Sequence, residues 1–261
     1  MTSEHILDRG LLYGEAVFET MRVVDGQVFA WQEHLARLTR GLAAFGLDCP
    51  AGLQTACLEA AGNTGPDAML RLTVSGGEAP RGLLVAGERE PCVHIQAWPY
   101  HAPGEALRLR SLHWPHGSMA RIAKFTADYG FTIRLLHQAR HAGLLAENEK
   151  ALFTHEDELL CMETGNILIR VDGAWFTPDS GAVLPGVVRQ TLLEAGAIQP
   201  ADCKADWLLA CEALAVCNSG CFIRPVASVD GRKLQTQAHL FGGLVEALRG
   251  RPGVPEDVLC A

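Results

Sequence analysis

Lys124 is the residue of this chain whose surroundings most favour covalent chemistry. The segment 119–125 around it is mostly apolar. A lysine among apolar neighbours has its charged form disfavoured, and the neutral amine that results can attack an aldehyde. The segment therefore indicates a lysine that holds an aldehyde compound.

A second chemical feature begins about sixty residues later, with the segment Leu184-Pro185-Gly186-Val187-Val188. Gly186 stands at the head of a predicted helix. The first turn of a helix has backbone N–H groups without partners inside the helix, and these groups bind anions such as phosphate. Further along, Cys217-Asn218-Ser219 offers a small hydroxyl. The order and spacing of these pieces fit a glycine turn that holds a phosphate and a hydroxyl loop that completes its contacts.

Near its start the chain has several further motifs. They are Asp8-Arg9-Gly10, Tyr13-Gly14, Phe18-Glu19-Thr20, Arg22 and Glu33-His34-Leu35-Ala36-Arg37-Leu38. The whole set resembles the class IV aminotransferase family, which includes branched-chain and D-amino-acid aminotransferases and aminodeoxychorismate lyase. The resemblance extends from about Asp8 to about Leu248 and so covers nearly the whole chain.

The resemblance implies an α+β fold of two domains, the fold-type IV architecture of D-amino-acid aminotransferase. A small N-terminal α/β domain would be followed by a larger, β-rich C-terminal domain, with the cofactor pyridoxal 5′-phosphate at their junction. We expect the small domain at residues 1–114, a linker at 115–120 and the large domain at 121–261. Pro115-His116-Gly117-Ser118 indicates the linker because proline and glycine both break regular structure.

Hydrophobic periodicity predicts the elements of both domains. In the first, strands are expected at 16–24, 27–30, 68–74, 82–86, 92–98 and 106–112, and helices at 31–45 and 52–61. In the second, helices are expected at 129–142, 186–196 and 237–249, and strands at 151–154, 166–171, 174–177, 209–217 and 223–229. Asp25-Gly26 and Asp172-Gly173 predict tight turns between paired strands.

The resemblance also implies roles for individual residues at the cofactor. Lys124 would bond to its aldehyde and later move the proton at the substrate's reacting carbon. Tyr129 would hydrogen-bond the ring hydroxyl oxygen, although a place in the core also suits it. The other implied contacts are Leu184 on the ring face and Arg37, Gly186, Val187, Val188 and Ser219 at the phosphate. Val188 replaces a frequent threonine, which removes one hydroxyl contact, and Arg37 could instead be a solvated residue of an amphipathic helix.

One cofactor contact departs from the family's pattern. Most members have a glutamate five residues before the asparagine that matches Asn166, and this carboxylate keeps the pyridine nitrogen protonated so that the ring can accept electrons. Cys161 occupies that position here, and the nearest acid is Glu163. Either a short deletion brings Glu163 into place, which is the expectation we adopt, or the contact is missing. A missing contact would weaken the electron sink on which transamination depends.

The substrate contacts that the resemblance implies are mostly cationic. Arg71 matches a residue that binds a substrate carboxylate in branched-chain enzymes, and Arg22 and Arg81 belong to the same domain. Tyr13 matches aromatic residues that line the pocket, often across a dimer interface, and Asn218 belongs to the hydroxyl loop. Each of these residues could also have a structural role. We therefore expect a small anionic substrate and a homodimer.

Three functions are compatible with these residues. The first is a lyase of folate biosynthesis that converts 4-amino-4-deoxychorismate to 4-aminobenzoate and pyruvate, with Lys124 as base. Cys217-Asn218 resembles the loop of the lyases, and formation of an aromatic product tolerates a weak electron sink. The second is an aminotransferase for branched-chain or D-amino acids, which Arg71 and the spacing from Lys124 to Tyr129 favour. In the third the fold is kept and the chemistry is lost or altered. We expect the lyase.

Composition limits what else the chain could do. It has 261 residues and a net charge of −8, which argues against a nucleic-acid surface, because such surfaces need clustered Lys and Arg. Its nine cysteines include no CxxC pair, and no further ligand accompanies Cys217 and Cys221, so we expect neither disulfides nor a metal. No apolar run reaches the ~18 residues of a membrane span, and no signal peptide is visible. We therefore expect a cytoplasmic protein.

Overall fold

The computed structural model describes residues 7–85, 87, 89–115 and 121–260. Residues 116–120 of the expected linker lie outside this range. The chain divides into two compact units, one formed by Met1–Tyr100 and Ile122–Ile133 and the other by His101–Arg121 and Arg134–Ala261. None of the helices described has the length and apolar character that a membrane crossing requires.

The first unit is built on a four-stranded antiparallel sheet. Its elements are α1 (Arg9–Tyr13), β1 (Ala16–Val24), β2 (Gln27–Val28), α2 (Trp31–Ala44), α3 (Leu53–Gly62), β3 (Asp67–Ser75) and β4 (Cys92–Pro99). The strands lie in the order β2-β1-β3-β4. Asp25 and Gly26 join β1 to β2 with φ angles of 51° and 73°, the left-handed pair that a two-residue hairpin turn requires.

The two faces of this sheet have different environments because side chains alternate along a strand. One face packs on the helices in a buried cluster that includes Val17, Met21, Leu38, Leu42, Leu70 and Leu72. Phe18 and Arg71 occupy the alternate positions of β1 and β3 and therefore lie on the opposite face. The apolar side chains of α2 thus cover one face of the sheet, and the opposite face is left for contacts with other residues.

The second unit is rich in β-structure. Its elements begin with β5 (Leu107–His113), α4 (Thr126–His141), β6 (Lys150–His155), β7 (Glu158–Met162), β8 (Gly165–Val171), β9 (Ala174–Pro178), α5 (Val187–Glu194) and β10 (Gln199–Ala201). They continue with α6 (Trp207–Ala210), β11 (Ala213–Asn218), β12 (Phe222–Val229), β13 (Arg232–Lys233), a 3-10 turn (Ala238–Phe241) and α7 (Gly242–Leu248). The division between the units falls within α4, after Ile133.

The main sheet of the second unit closes on itself. Its strands lie in the order β10-β9-β8-β11-β12-β5-β6-β7, and β7 also pairs with β8, so that the strands from β8 to β7 form a ring. Every strand of the ring contributes to one buried cluster, which includes Leu109, Leu152, Leu159, Ile167, Leu214 and Val226 and fills the interior. A second cluster, with Phe153, Cys161, Ala182 and Val183, covers the outer surface. The candidate site residues of this unit lie at that outer surface.

The structure differs from the sequence predictions in several places. β5 pairs with both β6 and β12 and belongs to the second unit, and the first continuous segment of the first unit extends to Tyr100. Residues 82–85 form no strand, and the carbonyls of Gly82 and Leu83 instead accept from the Arg9 guanidinium at 2.8 and 2.9 Å. β11 begins only at Ala213, because the start of the predicted strand forms α6.

Candidate active site

Lys124 is held beside the first residues of β1. The Phe18 N–H donates to the Lys124 carbonyl at 3.0 Å, and the Thr126 hydroxyl donates to the carbonyl of Gly14 at 3.1 Å. On the helix side, a Cβ on Gly41 would lie 2.7 Å from the Cβ of Ala123, so only glycine lets α2 approach this segment so closely. The backbone at Lys124 is therefore fixed by β1 and by α2.

Phe18 is the centre of the cluster that contains three predicted site residues. The Lys124 ammonium lies 5.5 Å from the centroid of the Phe18 ring, and the Arg71 guanidinium carbon lies 3.7 Å from it. The Tyr129 ring packs edge-on against Phe18 with 5.0 Å between centroids. Phe18 itself is only 4% exposed. An amine, a guanidinium and a phenol thus lie around one aromatic ring.

Sequence reasoning gave Phe18 no role beyond its place in a motif. Its signal was the position itself, because Phe18 alternates along β1 with the residues that pack on α2. A large aromatic on the face away from the helices needs another partner, and here the partners are the predicted site residues.

Arg37 lies on α2 in a buried ionic group with Glu19 and His34. Its Nε and Nη2 donate to the two Glu19 carboxylate oxygens at 2.8 and 2.6 Å, and all three side chains are at most 3% exposed. Burial acts to raise the pKa of Glu19, but the hydrogen bonds and charges of Arg37 and His34 outweigh it and lower the pKa to about 2. Glu19 therefore balances the charge of the arginine that the resemblance assigns to phosphate.

His34 completes this buried group as a neutral imidazole. Burial lowers its pKa, an effect that Glu19 opposes and Arg37 and Lys124 reinforce. Because Glu19 is a carboxylate 2.8 Å from Nδ1, that nitrogen carries the proton and donates it. Nε2 has no hydrogen-bond partner within the part of the chain that the structure describes. The sequence contained Glu19 and His34 in its motifs, but their pairing depends on how α2 packs on β1.

Gly186 forms a turn that fits a phosphate. It precedes α5, and no side chain caps that helix, so the backbone N–H groups of its first turn are left for an external anion. A Cβ at Gly186 would lie 2.0 Å from Oδ1 of Asn166, whose amide nitrogen donates to the Leu184 carbonyl at 2.9 Å. Val187 and Val188 are buried in the first turn and contribute their backbone only. The predicted turn is therefore built around a position where only glycine fits.

The loop after β11 presents Ser219 and is held by Asn218. The Asn218 Oδ1 accepts from the N–H groups of Gly220 and Cys221 at 2.9 Å each, and its Nδ2 donates to the Thr164 carbonyl at 3.3 Å. Ser219 is 8% exposed, and its hydroxyl makes no hydrogen bond to any described residue. Asn218 thus shapes the loop with its own amide, which leaves Ser219 as the residue with a donor for a ligand.

Cys161, and not Glu163, lies directly opposite Asn166. The two residues pair across β7 and β8, so their side chains lie on the same face of the sheet. Glu163 lies in the turn beyond β7, where its carboxylate is 3.5 Å from the Lys150 ammonium and its N–H donates to the Ala151 carbonyl. Strand pairing therefore brings the Cys161 thiol, and not the Glu163 carboxylate, opposite Asn166.

The remaining predicted substrate residues have other surroundings in the first unit. Arg22 donates to both carboxylate oxygens of Asp67 at 2.7 and 2.5 Å and stacks on Tyr100, an arrangement that favours a structural role. Arg81 is exposed in the loop before β4. Tyr13 is the last residue of α1, is 39% exposed and lies under the Arg9 guanidinium.

Asp8, Cys92 and His94 are the one group of described residues with the spacing of metal ligands, within 4.8 Å of one another. The Asp8 carboxylate there already accepts from the Gly10 N–H at 2.7 Å and from the Ser75 hydroxyl at 2.6 Å. The bond from Gly10 caps the start of α1, and the bond from Ser75 ties that helix to β3, so Asp8 has a structural role that needs no metal.

Comparison with known proteins identifies the family. The model for "Amino-transferase class IV" matches residues 16–229. A branched-chain-amino-acid aminotransferase from Pseudomonas aeruginosa is 27% identical over 258 residues, which cover 88% of this chain and 81% of that protein.

Two solved structures share the fold. A candidate 4-amino-4-deoxychorismate lyase from Legionella pneumophila has a TM-score of 0.80 at 23% identity, over 95% of each chain. A hypothetical aminotransferase from Mycobacterium tuberculosis, in its pyridoxal-phosphate-bound form, has a TM-score of 0.76 at 20% identity, over 95% of this chain and 94% of the other. These matches confirm the predicted fold class. The match over most of its length shows that this chain belongs to the class IV aminotransferase family of pyridoxal-phosphate enzymes.

Proposed function

We propose that this protein is a lyase that converts 4-amino-4-deoxychorismate to 4-aminobenzoate and pyruvate. The observation that supports the proposal is the pairing of Cys161 with Asn166, since most members of the family have a glutamate at the position that matches Cys161. Without that carboxylate the cofactor is a weaker electron sink. Elimination to an aromatic product has its own driving force and depends on the sink less than transamination does.

The residues around Phe18 have distinct roles in this reaction. When bound, pyridoxal phosphate supplies an aldehyde that takes up the ring amine of the substrate and a ring that withdraws electrons. Lys124 removes the ring proton next to that amine, and the C–O bond to the enolpyruvyl group breaks with its electron pair on oxygen. The released enol takes a proton at its methylene carbon and becomes pyruvate, while the ring becomes aromatic. Lys124 can return the proton it removed, so no external acid is consumed.

Arg71 and Phe18 account for the choice of an anionic, ring-shaped substrate. The Arg71 guanidinium lies on the Phe18 ring, and its Nε donates to the Thr73 hydroxyl at 3.3 Å, which holds it on that face. A guanidinium held in this way can pair with a substrate carboxylate. Phe18 is almost fully buried and its ring lies beside Lys124, so it excludes water from that side of the amine.

A class IV aminotransferase is the second candidate. The five-residue spacing from Lys124 to Tyr129 and the position of Arg71 favour it, and the Pseudomonas aeruginosa relative is a branched-chain-amino-acid aminotransferase. Both candidate reactions use the same lysine. They differ in the products released and in whether a keto-acid co-substrate must be added.

One assay separates the candidates. With aminodeoxychorismate as the sole substrate, we expect pyruvate and 4-aminobenzoate in equal amounts, without any keto acid. Pyruvate can be followed with a coupled dehydrogenase and 4-aminobenzoate by its fluorescence. An aminotransferase would instead need a donor and an acceptor and would alternate between two cofactor forms. Amino exchange between amino acids and 2-oxoglutarate, with no 4-aminobenzoate formed, would refute the lyase.

We propose that the active protein is a homodimer in which Tyr13 reaches the partner's site. Leu11, Leu12 and Tyr13 of α1 are 70%, 46% and 39% exposed, and Leu83 and Leu84 in the nearby loop are 80% and 97% exposed. Arg9 joins α1 to that loop through its bonds to two loop carbonyls. An apolar surface of this kind is typical of an interface.

Subunit complementation tests the dimer. Lys124→Ala and Tyr13→Ala proteins should each have little activity alone, since each lacks one group in every site. A mixed dimer should regain one of its two sites, because the intact Tyr13 of one subunit meets the intact Lys124 of the other. Purified mixed dimers, isolated with two different tags, should therefore have about half the wild-type activity. Mixed dimers no more active than the parents, or a fully active monomer in sedimentation, would contradict the proposal.

A further inference from the structure

Arg121 and Cys161 form a pair at the outer surface of the strand ring. The Arg121 N–H donates to the Gly181 carbonyl at 2.9 Å, and its Nη1 lies 4.0 Å from the Cys161 sulfur. Cys161 is 7% exposed and belongs to the same buried cluster as Ala182 and Val183. The pair thus links β7 to the segment that leads directly into the Gly186 turn.

We propose that this pair, in place of a carboxylate, faces the pyridine nitrogen of the bound cofactor and keeps that nitrogen unprotonated. The pairing of Cys161 with Asn166 directs the thiol to the same face of the sheet as the Asn166 amide, which binds the Leu184 carbonyl of the cofactor turn. Arg121 then supplies a positive charge next to the thiol. The inference rests on the cofactor site of the proposed function and is independent of the substrate.

The charges explain the protonation state of the nitrogen. A carboxylate partner stabilises a pyridinium because the two charges are opposite. The Arg121 guanidinium has the same charge as a pyridinium and disfavours it. Burial raises the pKa of the Cys161 thiol, against the influence of Arg121, so the thiol remains neutral at physiological pH and brings no compensating charge. The charge of Arg121 therefore disfavours a protonated nitrogen, and the neutral thiol does not offset that charge.

Glu163 does not supply the missing negative charge at this position. Its carboxylate lies 3.5 Å from the ammonium of Lys150 on β6, and its backbone belongs to the turn after β7. Lys150 and Glu163 thus form their own ion pair. A neutral ring withdraws electrons less strongly, which is consistent with an elimination that an aromatic product drives.

The protonation state of the pyridine nitrogen can be measured directly by 15N NMR. The apoprotein is reconstituted with pyridoxal phosphate carrying 15N in the ring, and its 15N NMR signal is followed from mildly acidic to mildly alkaline pH without substrate. We expect the shift of an unprotonated pyridine throughout in the wild type. Cys161→Glu should move the signal to that of a pyridinium, and Arg121→Gln should move the titration of the nitrogen to higher pH. Glu163→Gln, the matched control, should leave the wild-type signal unchanged.

Two results would overturn the proposal. A pyridinium signal in the wild type that disappears in Glu163→Gln would identify Glu163 as the partner of the nitrogen. A pyridinium signal that persists in Glu163→Gln would also contradict the proposal, because the nitrogen would still be protonated. The wild type, Glu163→Gln and Arg121→Gln decide the question even where Cys161→Glu does not fold. Borohydride fixation to Lys124 in the same sample reports the cofactor site itself. A negative lyase assay would not change the nitrogen signal. The proposed lyase activity and the proposed unprotonated nitrogen can therefore be refuted independently.

Discussion

Replacing Lys124 with alanine is expected to abolish both turnover and covalent attachment of the cofactor. In the wild type, borohydride should fix pyridoxal phosphate to one lysine, and peptide mass spectrometry should locate the added mass at Lys124. The variant removes the group that bonds the aldehyde and that moves the substrate proton. Loss of the proton transfer alone corresponds to about 10²–10⁴ in rate. Loss of the covalent bond adds to it, so we expect activity at the limit of detection.

The other lysines of the chain provide the controls. The sequence contains only four lysines, at positions 124, 150, 204 and 233. Lys150 pairs with Glu163, Lys204 lies within 4.0 Å of three carboxylates, and Lys233 is exposed. Lys233→Ala should therefore keep the label and the activity. A label that remains on the protein after Lys124→Ala, at any of the other three positions, would refute the assignment.

Much of the first unit could be predicted from the sequence because its signals are local. The alternating segment 16–24 became β1 with the same bounds, and Asp25-Gly26 formed the expected left-handed turn. Both features depend on residues that are neighbours in the chain. The strand predicted at 82–86 failed because the Arg9 guanidinium binds the carbonyls of that loop, a contact across more than seventy residues.

In the second unit β7 is one of the elements that the sequence did not predict, and the reason is physical. Glu158–Met162 is short, and four of its five residues are buried, so it shows no alternation of apolar and polar positions. The strand is recognisable only from the ring that it closes with β6 and β8. Because β7 carries Cys161, its register also determines which residue lies opposite Asn166. The sequence left Cys161 and Glu163 as candidates for the ring-nitrogen contact, and strand pairing shows that Cys161 is the one opposite Asn166.

Among the candidate site residues, too, those in short motifs could be predicted, whereas those whose role depends on long-range packing could not. Lys124, Gly186 and Ser219 could be proposed as candidates from short motifs. Glu19 could not be assigned a role, because a carboxylate on a strand is explained only once a helix brings Arg37 and His34 to it. A buried charge of this kind is a property of packing and has no signature in sequence spacing.

Glu19→Gln is expected to cause the largest loss of stability. The substitution keeps the size of the side chain but removes the negative charge that Arg37 and His34 surround, and it leaves the Arg37 cation buried without that carboxylate. Breaking a buried pair on one side costs about 3–5 kcal/mol. Urea unfolding of the two proteins at neutral pH measures this difference. Glu33→Gln is the matched control, since Glu33 lies exposed on the same helix and should change stability by about 0.5 kcal/mol or less.

The pH dependence of this difference provides a second test of the same group. The pKa of Glu19 falls from 4.5 to about 2 on folding, so the unfolded chain binds the proton first. The stability that Glu19 contributes is therefore complete above pH 4.5 and is lost as the pH falls towards 2. The free-energy difference between wild type and Glu19→Gln should be constant above pH 4.5 and should shrink below it. A difference that stays the same down to pH 2 would mean that the loss does not depend on the charge of Glu19. A variant as stable as the wild type at pH 7 would mean that the buried carboxylate contributes no net stability.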